Sequence, residues 1–413
     1  DGDRERIPYE ADAYINQLAH YGVDREYNLA RYTHEYLIRN PTWPTEWILH
    51  SVLMAWDDYL YTGDPRSLET HYDDLCEKTL HRLAREDGLI STHGNRVTPE
   101  ILDAIHIDRP IRDIVDWPAG ERDGFEMGPV NTVVNAFHCR ALDLMARIAT
   151  VLDRTEDAKR WRRRADRTAE TLNRVLFDAD TGLYVDAEDS SHSSLHANMM
   201  PLAFGLVPPP RIRTVADFVE SRGMACSVYG AQYLLDALYR AGRAQAALDL
   251  MTAQTERSGR HMIHDVGTTI TLEAWDRHFK PNLDWNHAWG AAPANLIPRR
   301  LCGVRPLEPG FRRILVAPQP ADLAHFRARI PTIRGGVDLE WRRTSASTAE
   351  LNLTLPANCT ARLLLPTLCP GPARITLDGH PRGHERFGRT LSVDPLPSGT
   401  HTIRLSAGPE TKR

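Results

Sequence analysis

Between residue 10 and about residue 302, apolar positions recur at three- and four-residue spacing, the period of a helix with one buried face. Residues 131–152 show this clearly: Val134, Phe137, Ala141, Leu142, Met145, Ile148, Ala149 and Leu152 share one stripe. Similar stripes near 12–21, 26–39, 47–62, 67–84, 156–176, 196–206, 211–222, 227–240, 243–254 and 286–301 predict roughly eleven helices in all. The loops at 86–126, 177–195 and 255–285 are long and hold most of the Gly, Pro, Asp, His and Trp outside the stripes. Long loops on a rigid scaffold are where function concentrates.

After Arg305 the period changes. Short segments rich in Val, Ile, Leu and Thr (313–317, 336–343, 349–355, 360–365, 373–377, 390–393 and 401–405) alternate in character between Pro, Gly, Asn and Asp turns. This pattern predicts an antiparallel β-sandwich. The change falls at 303–310, so two domains are expected, 1–305 and 306–413. An α-solenoid would repeat itself every 34–47 residues or so, and no such self-similarity is present. A closed toroid of paired helices fits better, because its loops gather at one rim and can build a cleft.

Composition narrows the picture only in places. The 413 residues are 42% hydrophobic and 25% charged, with formal net charge −5, enough to bury a large core. No run of eighteen apolar residues occurs, which excludes a membrane-spanning helix of the usual length. The basic run 159–164 alternates with acids at helical spacing and reads as a solvated face rather than a nucleic-acid patch. The six cysteines show no CxxC spacing, and Cys359 and Cys369 are close enough in sequence either to pair or to remain free thiols. The chain opens on Asp1-Gly2-Asp3 without Met and is expected to be a piece of a longer protein. Its compartment stays open, a periplasmic or secreted one being favoured over the cytoplasm, and so does its oligomeric state.

Two segments concentrate polar and aromatic side chains. The first is Asp1-Gly2-Asp3-Arg4-Glu5-Arg6-Ile7-Pro8-Tyr9-Glu10-Ala11-Asp12, which also reads as a charged turn entering a helix. The second is Leu272-Glu273-Ala274-Trp275-Asp276, followed by Asn286-His287-Ala288-Trp289-Gly290. Glu273 lies in an apolar, aromatic run, where desolvation is expected to raise its pKa; the alternative reading is a helix-start Glu paired to an Arg. Glycosidic bond cleavage needs one carboxyl group to protonate the leaving oxygen and another to activate water, ~6.5–9.5 Å apart in an inverting enzyme. Aromatic rings supply platforms for a sugar's apolar face. On residue types alone, these segments point to a carbohydrate-active cleft.

Both segments resemble the α-L-rhamnosidases of glycoside hydrolase family 78, and the resemblance runs from residue 1 to about 320. The opening is similar to the family's Asp-Cys-Pro-x-Arg-x-Glu-Arg-Leu-Gly-Trp-x-Gly-Asp motif. Aligned on Glu5-Arg6 and Asp12, it implies Glu5 as general acid, Tyr9 in place of the sugar-stacking Trp, and Asp12 as the supporting acid. Asp1, Asp3 and Arg4 correspond to the residues that grip the sugar hydroxyls, although this segment is shorter than the family's and which Asp does which job stays open. The second segment resembles Trp-Glu-x-Trp-Asp and Asn-His-Tyr-Ala-x-Gly-Ala, implying Glu273 as general base and His287 as a sugar contact. Asp116-Trp117 is similar to the family's Gly-Asp-Trp, making Trp117 a subsite wall, and Glu46-Trp47 falls where the family has an acid beside a Trp, implying that both contact the substrate.

The resemblance implies an (α/α)6 toroid followed by a small β-sandwich, acting on terminal α-L-rhamnosyl groups by single displacement with inversion. It implies no cofactor, no metal, no nucleic-acid partner and no membrane partner. Arg4 beside Glu5 opposes a raised pKa on the acid, so Arg4 is expected to point at the sugar or Tyr9 to shield Glu5. Other readings are a hydrolase of another deoxy sugar or of a uronic acid, a lyase using Tyr or His as base, and a non-catalytic carbohydrate binder. The cluster 121–126 reads as a structural turn, with substrate or calcium binding as the alternative. His106, His138, His192 and His196 lack metal-ligand spacing and read as core or cleft histidines. Asn358-Cys359-Thr360 fits a glycosylation sequon, which bears only on a eukaryotic secreted chain.

Overall fold

A computed structural model of the chain describes residues 6–407; Asp1, Asp3, Arg4 and Glu5 lie outside the described residues. The chain forms two compact units. One holds the described residues to Leu18 together with Asn28–Asp58 and Pro65–Ala292; the other holds Ala19–Tyr27, Tyr59–Asp64 and the chain from Pro293 onward.

The helices are α1 (Glu10–Val23), α2 (Asn28–Arg39), α3 (Thr45–Thr62), α4 (Arg66–Thr70), α5 (Tyr72–Lys78), α6 (Pro99–Ala104), α7 (Thr132–Val151) and α8 (Thr155–Val175), followed after a small β-hairpin by α9 (Leu195–Phe204), α10 (Ile212–Ser221), α11 (Gly230–Arg240), α12 (Ala244–Met251) and α13 (Ala292–Leu296). The hairpin pairs β1 (Phe177–Asp178) with β2 (Leu183–Tyr184). Two sequence types alternate along this run. α7, α9 and α11 are apolar on nearly every side and almost wholly buried. α8 and α10 carry one apolar stripe and an exposed charged face. A helix apolar all round belongs inside and an amphipathic one outside, so the alternation makes an inner and an outer ring, the (α/α)6 toroid.

The inner helices share a local device. Asn131 caps α7 by accepting the Val134 N–H (2.8 Å), and Asn135 one turn on exchanges hydrogen bonds with the N–H and C=O of Ile90. Ser194 caps α9 in the same way, and Asn198 clamps the N–H and C=O of Tyr184. Each cap satisfies a helix-end donor, and each clamp satisfies the backbone of a loop that burial would otherwise strand. α9 ends at Gly205, whose φ of 72° is the left-handed closing turn that glycine adopts without a Cβ clash.

Two predicted helices are broken. The stripe at 67–84 becomes α4, α5 and a 3-10 turn at His81–Leu83, with Leu80 left-handed before it. The stripe at 286–301 becomes a 3-10 turn, α13 and a π turn at Ile297–Leu301, because Pro298 removes a backbone donor. α6, inside the long 86–126 loop, has a stripe too short to be read from sequence.

The β unit contains β3 (Val304–Pro306), β4 (Arg313–Val316), β5 (His325–Thr332), β6 (Gly335–Ser345), β7 (Thr348–Leu355), β8 (Thr360–Pro366), β9 (Ala373–Leu377), β10 (His380–Arg382), β11 (Glu385–Phe387), β12 (Thr390–Leu396) and β13 (Gly399–Ala407). One sheet has the order β10-β9-β13-β7-β6-β5 and the other β11-β12-β8-β4-β3. Burial alternates strictly along β7 and β8, and the register aligns Trp341, Leu351 and Ile403 across three strands as a row of buried side chains. All pairings are antiparallel except β4 with β8, which the chain joins by passing through the other sheet. A long crossover of that kind permits parallel pairing. All six cysteines, Cys359 and Cys369 included, are free thiols.

Candidate active site

The long loop 255–290 has little regular structure, and side chains give it its shape. The His287 N–H donates to the Thr271 carbonyl (2.9 Å), and the Thr271 hydroxyl returns a bond to the His287 carbonyl (2.9 Å). Two residues along, the Glu273 N–H donates to the Asp284 carbonyl (3.1 Å), while the Asp284 N–H donates to Glu273 Oε2 (2.8 Å). Two indoles fasten this paired segment: Trp275 donates to the Cys226 carbonyl (2.8 Å) and Trp289 to the Glu273 carbonyl (2.9 Å). Glu273 and His287 are thereby held on adjacent, pinned stretches.

The Lys280 ammonium lies 2.9 Å from Glu273 Oε2, and both side chains are nearly sealed from solvent, at 6% and 4% exposure. Sequence predicted a raised pKa for Glu273, and the structure corrects this. Burial does push it up, but the Lys280 hydrogen bond, the Asp284 N–H and the charges of Lys280 and His287 outweigh burial and hold Glu273 below the ordinary carboxylate value. The missing term was the cation seven residues downstream, which an apolar sequence context does not reveal.

His287 Nε2 meets Asp12 Oδ1 at 2.5 Å, and its Nδ1 lies 3.6 Å from Asp284. Helix α1 and the late loop, 275 residues apart in sequence, therefore meet at buried charged groups. Glu273, Asp284 and His287 offer ligand atoms within 4.8 Å of one another. Lys280 and Asp12 already supply the counter-charges there, so the grouping fits an ion-pair network better than a divalent cation site.

These residues border a cleft of about 390 Å³, within the size range of small-ligand sites, whose lining includes Tyr9, Asp12, Trp47, Trp117, Glu273 and His287. Its walls are aromatic. Tyr9 meets Trp47 edge-on at 5.3 Å, Trp47 meets Trp289 at 6.1 Å, and Trp289 stacks on Tyr229. Trp43, with the Arg112 guanidinium over its ring, and Phe279, with Arg257 over its ring, complete the walls.

Trp117 is 36% exposed and rides on a loop anchored from below. Asp116 accepts the Trp117 N–H (2.7 Å), the Ser227 hydroxyl and N–H, and His196 Nε2 (2.7 Å). Glu46, expected at the substrate, instead grips this loop. Its carboxyl accepts the N–H groups of Ile114 (3.2 Å) and Val115 (2.7 Å), and it does not line the cleft. Burial first, and the nearby Asp113 carboxyl second, push Glu46 up to about 8. The bonds hold Val115 at φ 65°, a conformation that a β-branched residue adopts only under constraint.

Of the residues expected from sequence, the cleft therefore unites Tyr9, Asp12, Trp47, Trp117, Glu273 and His287, and leaves Glu46 aside. Asp1, Asp3, Arg4 and Glu5 lie outside the described residues. Sequence reading passed over Trp43, Phe279, Lys280, Asn282 and Trp289. A usable signal for Trp289 was its place in Asn286-His287-Ala288-Trp289; Lys280 had none. The cluster 121–126 is structural: Asp123 pairs with Arg222 and accepts the Leu195 N–H, and Glu121 pairs with Arg257. His138 is buried and bonded to the Thr79 carbonyl.

Known proteins resemble this chain in sequence and in fold. Residues 1–301 match the bacterial alpha-L-rhamnosidase 6 hairpin glycosidase domain, and residues 303–372 the bacterial alpha-L-rhamnosidase C-terminal domain. An alpha-L-rhamnosidase of Alteromonas sp. (strain LOR) is 24% identical over 335 residues, covering 76% of this chain and 34% of that protein. The alpha-L-rhamnosidase structure from Dictyoglumus thermophilum aligns with TM-score 0.80 at 18% identity, over 98% of this chain and 46% of that one. That from Streptomyces avermitilis, complexed with L-rhamnose, aligns with TM-score 0.75 at 17% identity, over 97% and 38%. At these identities the structures establish the fold. The chain spans about a third of the length of the curated relatives it matches.

Proposed function

We propose that this chain, which belongs to the bacterial α-L-rhamnosidase six-hairpin glycosidase family, hydrolyses terminal α-L-rhamnosyl groups with inversion, Glu273 acting as general base. The observation that carries this reading is Glu273 itself, a buried carboxylate held against an ammonium at the edge of an aromatic-walled cleft. A base must be ionised at working pH, and its surroundings hold Glu273 below the ordinary carboxylate value.

In the reaction, a water oxygen bonds to the anomeric carbon as the glycosidic C–O bond breaks. Glu273 takes the proton that this water releases, and Glu5 gives its own proton to the leaving oxygen, a role that rests on the motif Glu5-Arg6 with Asp12. The two carboxyl groups need opposite protonation states, so their surroundings must push the pKa values apart. Trp47, Tyr9 and Trp117 offer faces to the sugar ring, and the Asp12–His287 pair offers polar atoms to its hydroxyl groups. Rhamnose as the sugar rests on the family to which the chain belongs.

The test is Glu273→Gln assayed on an aryl α-L-rhamnoside beside a panel of other aryl glycosides. Loss of turnover by about 10²–10⁴ is expected, the usual worth of an acid–base group, with the melting temperature showing whether the variant stays folded. The anomer first released, followed by NMR, reports inversion. Near-normal turnover of the variant would end the assignment.

A further inference from the structure

We propose that Lys280 is a positioning residue for the reaction: its ammonium fixes the Glu273 carboxylate in the orientation that water activation needs. The inference rests on the general-base reading of Glu273 and adds to it a residue that does not itself exchange protons.

The geometry carries it. Lys280 is buried, and its Nζ reaches Glu273 Oε2 (2.9 Å), the Asn282 side-chain oxygen (3.1 Å) and the Asn282 carbonyl (3.4 Å). The turn closes behind it through the Leu283 N–H on the Lys280 carbonyl (3.0 Å). The next residue, Asp284, bonds Glu273 Oε2 from the other side. One carboxylate oxygen is thus held between an ammonium and a backbone N–H, both contributed by the same short stretch, 280–284. A flexible four-carbon amine is ordinarily a solvated surface group, and burying it costs free energy unless its charge is matched. Here the match is Glu273, and the Asn282 oxygens accept the remaining donors.

The described titratable groups that face Glu273 are Lys280 from its own loop, His287 across the paired segment, and Asp284 and Asp12 through His287. Among them Lys280 contributes the leading stabilisation of the ionised form. Without Lys280, the leading opposition to burial is gone, so the Glu273 pKa rises. The acid limb of the pH–rate profile, where the base becomes protonated, then moves to higher pH. A carboxylate released from its clamp also loses near-attack geometry, which by general experience costs up to about 10²-fold for a misplacement of roughly 1 Å.

The experiment compares Lys280→Met and Lys280→Arg with the parent chain and with Glu273→Gln, measuring kcat, KM and kcat/KM on an aryl α-L-rhamnoside from pH 4 to 9. Lys280→Met is expected to lower kcat by roughly ten- to a hundredfold, with KM changing far less, and to move the acid limb upward by a unit or more. Lys280→Arg restores the limb, because the charge is kept. If Lys280→Met does not fold, Lys280→Gln decides, because it keeps a polar group without the charge: a limb moved upward supports the role, and a limb in the parent's place overturns it. Glu273→Gln separates the two readings. Normal turnover in Glu273→Gln removes the base itself, whereas an inactive Glu273→Gln beside a Lys280→Met with the parent's acid limb removes only the role of Lys280.

Discussion

Two buried glutamates, Glu46 on α3 and Glu273 on the 255–290 loop, sit in the same compact unit and come out with opposite chemistry. Glu46 is 1% exposed and Glu273 3%, so burial penalises both. Each also accepts backbone N–H bonds. Burial weighs more heavily on Glu46, and the charged neighbours differ as well. Glu46 has another carboxyl, Asp113, and is pushed up to about 8. Glu273 has Lys280 and is held low. A buried acid is thus made into a neutral anchor or an ionised carboxylate by its burial and by what lies within a few ångströms of it, because Coulomb interactions grow as the local dielectric falls.

The largest test of this contrast is catalytic. Glu273→Gln should lose about 10²–10⁴ in turnover, while Glu46→Gln, whose amide still offers an oxygen to the 114–115 backbone, should stay within a few-fold of the parent. Comparable losses from both substitutions would erase the distinction.

Stability comes next. Glu46→Ala leaves the Ile114 and Val115 N–H groups buried and unmatched, at about 1–3 kcal/mol. Glu46→Gln should cost less, since its amide can still accept one of the two bonds. Chemical denaturation of the two variants distinguishes these outcomes, and an equal, negligible cost would show that the loop does not depend on Glu46.

The pH dependence of stability should also differ in sign. A group whose folded pKa is raised, like Glu46, contributes stability that is complete below its unfolded value near 4.5 and is lost as pH rises toward about 8. Glu273, lowered from 4.5, contributes stability above that value which is lost as pH falls through its folded pKa. Melting temperatures from pH 4 to 9 should therefore fall less steeply on the alkaline side in Glu46→Gln than in the parent. A parallel curve would show that Glu46 is ionised in the folded chain.

The smallest effect concerns the wall rather than the charges. Trp117→Ala removes a half-exposed ring whose backbone stays anchored through Asp116, so KM should rise roughly five- to tenfold with kcat changed less. A fall in kcat alone would place Trp117 nearer the reacting atoms than a subsite wall.

Much of the molecule was legible in the residues themselves. The helical period of 10–302 and the strand alternation after 305 marked a helical unit followed by a β-sandwich, because a buried stripe or face needs only local spacing to be recognised; the (α/α)6 closure came from the family resemblance. Short elements such as α6, β3 and β10 escaped, since three to six residues hold too little of a period. Tyr9, Asp12, Trp47, Trp117, Glu273 and His287 were reachable through motif resemblance and do share one cleft. Glu46 matched a motif but faces the backbone of 114–115. Only the tertiary structure separated these cases. Side-chain direction and the identity of a charged neighbour depend on loops folding back across hundreds of residues, as with Asp12 on His287, or on the turn that carries Lys280 to Glu273. Spacing along the chain fixes which face of an element is buried; it does not fix what that face meets, and the charge state of a buried acid is decided by what it meets.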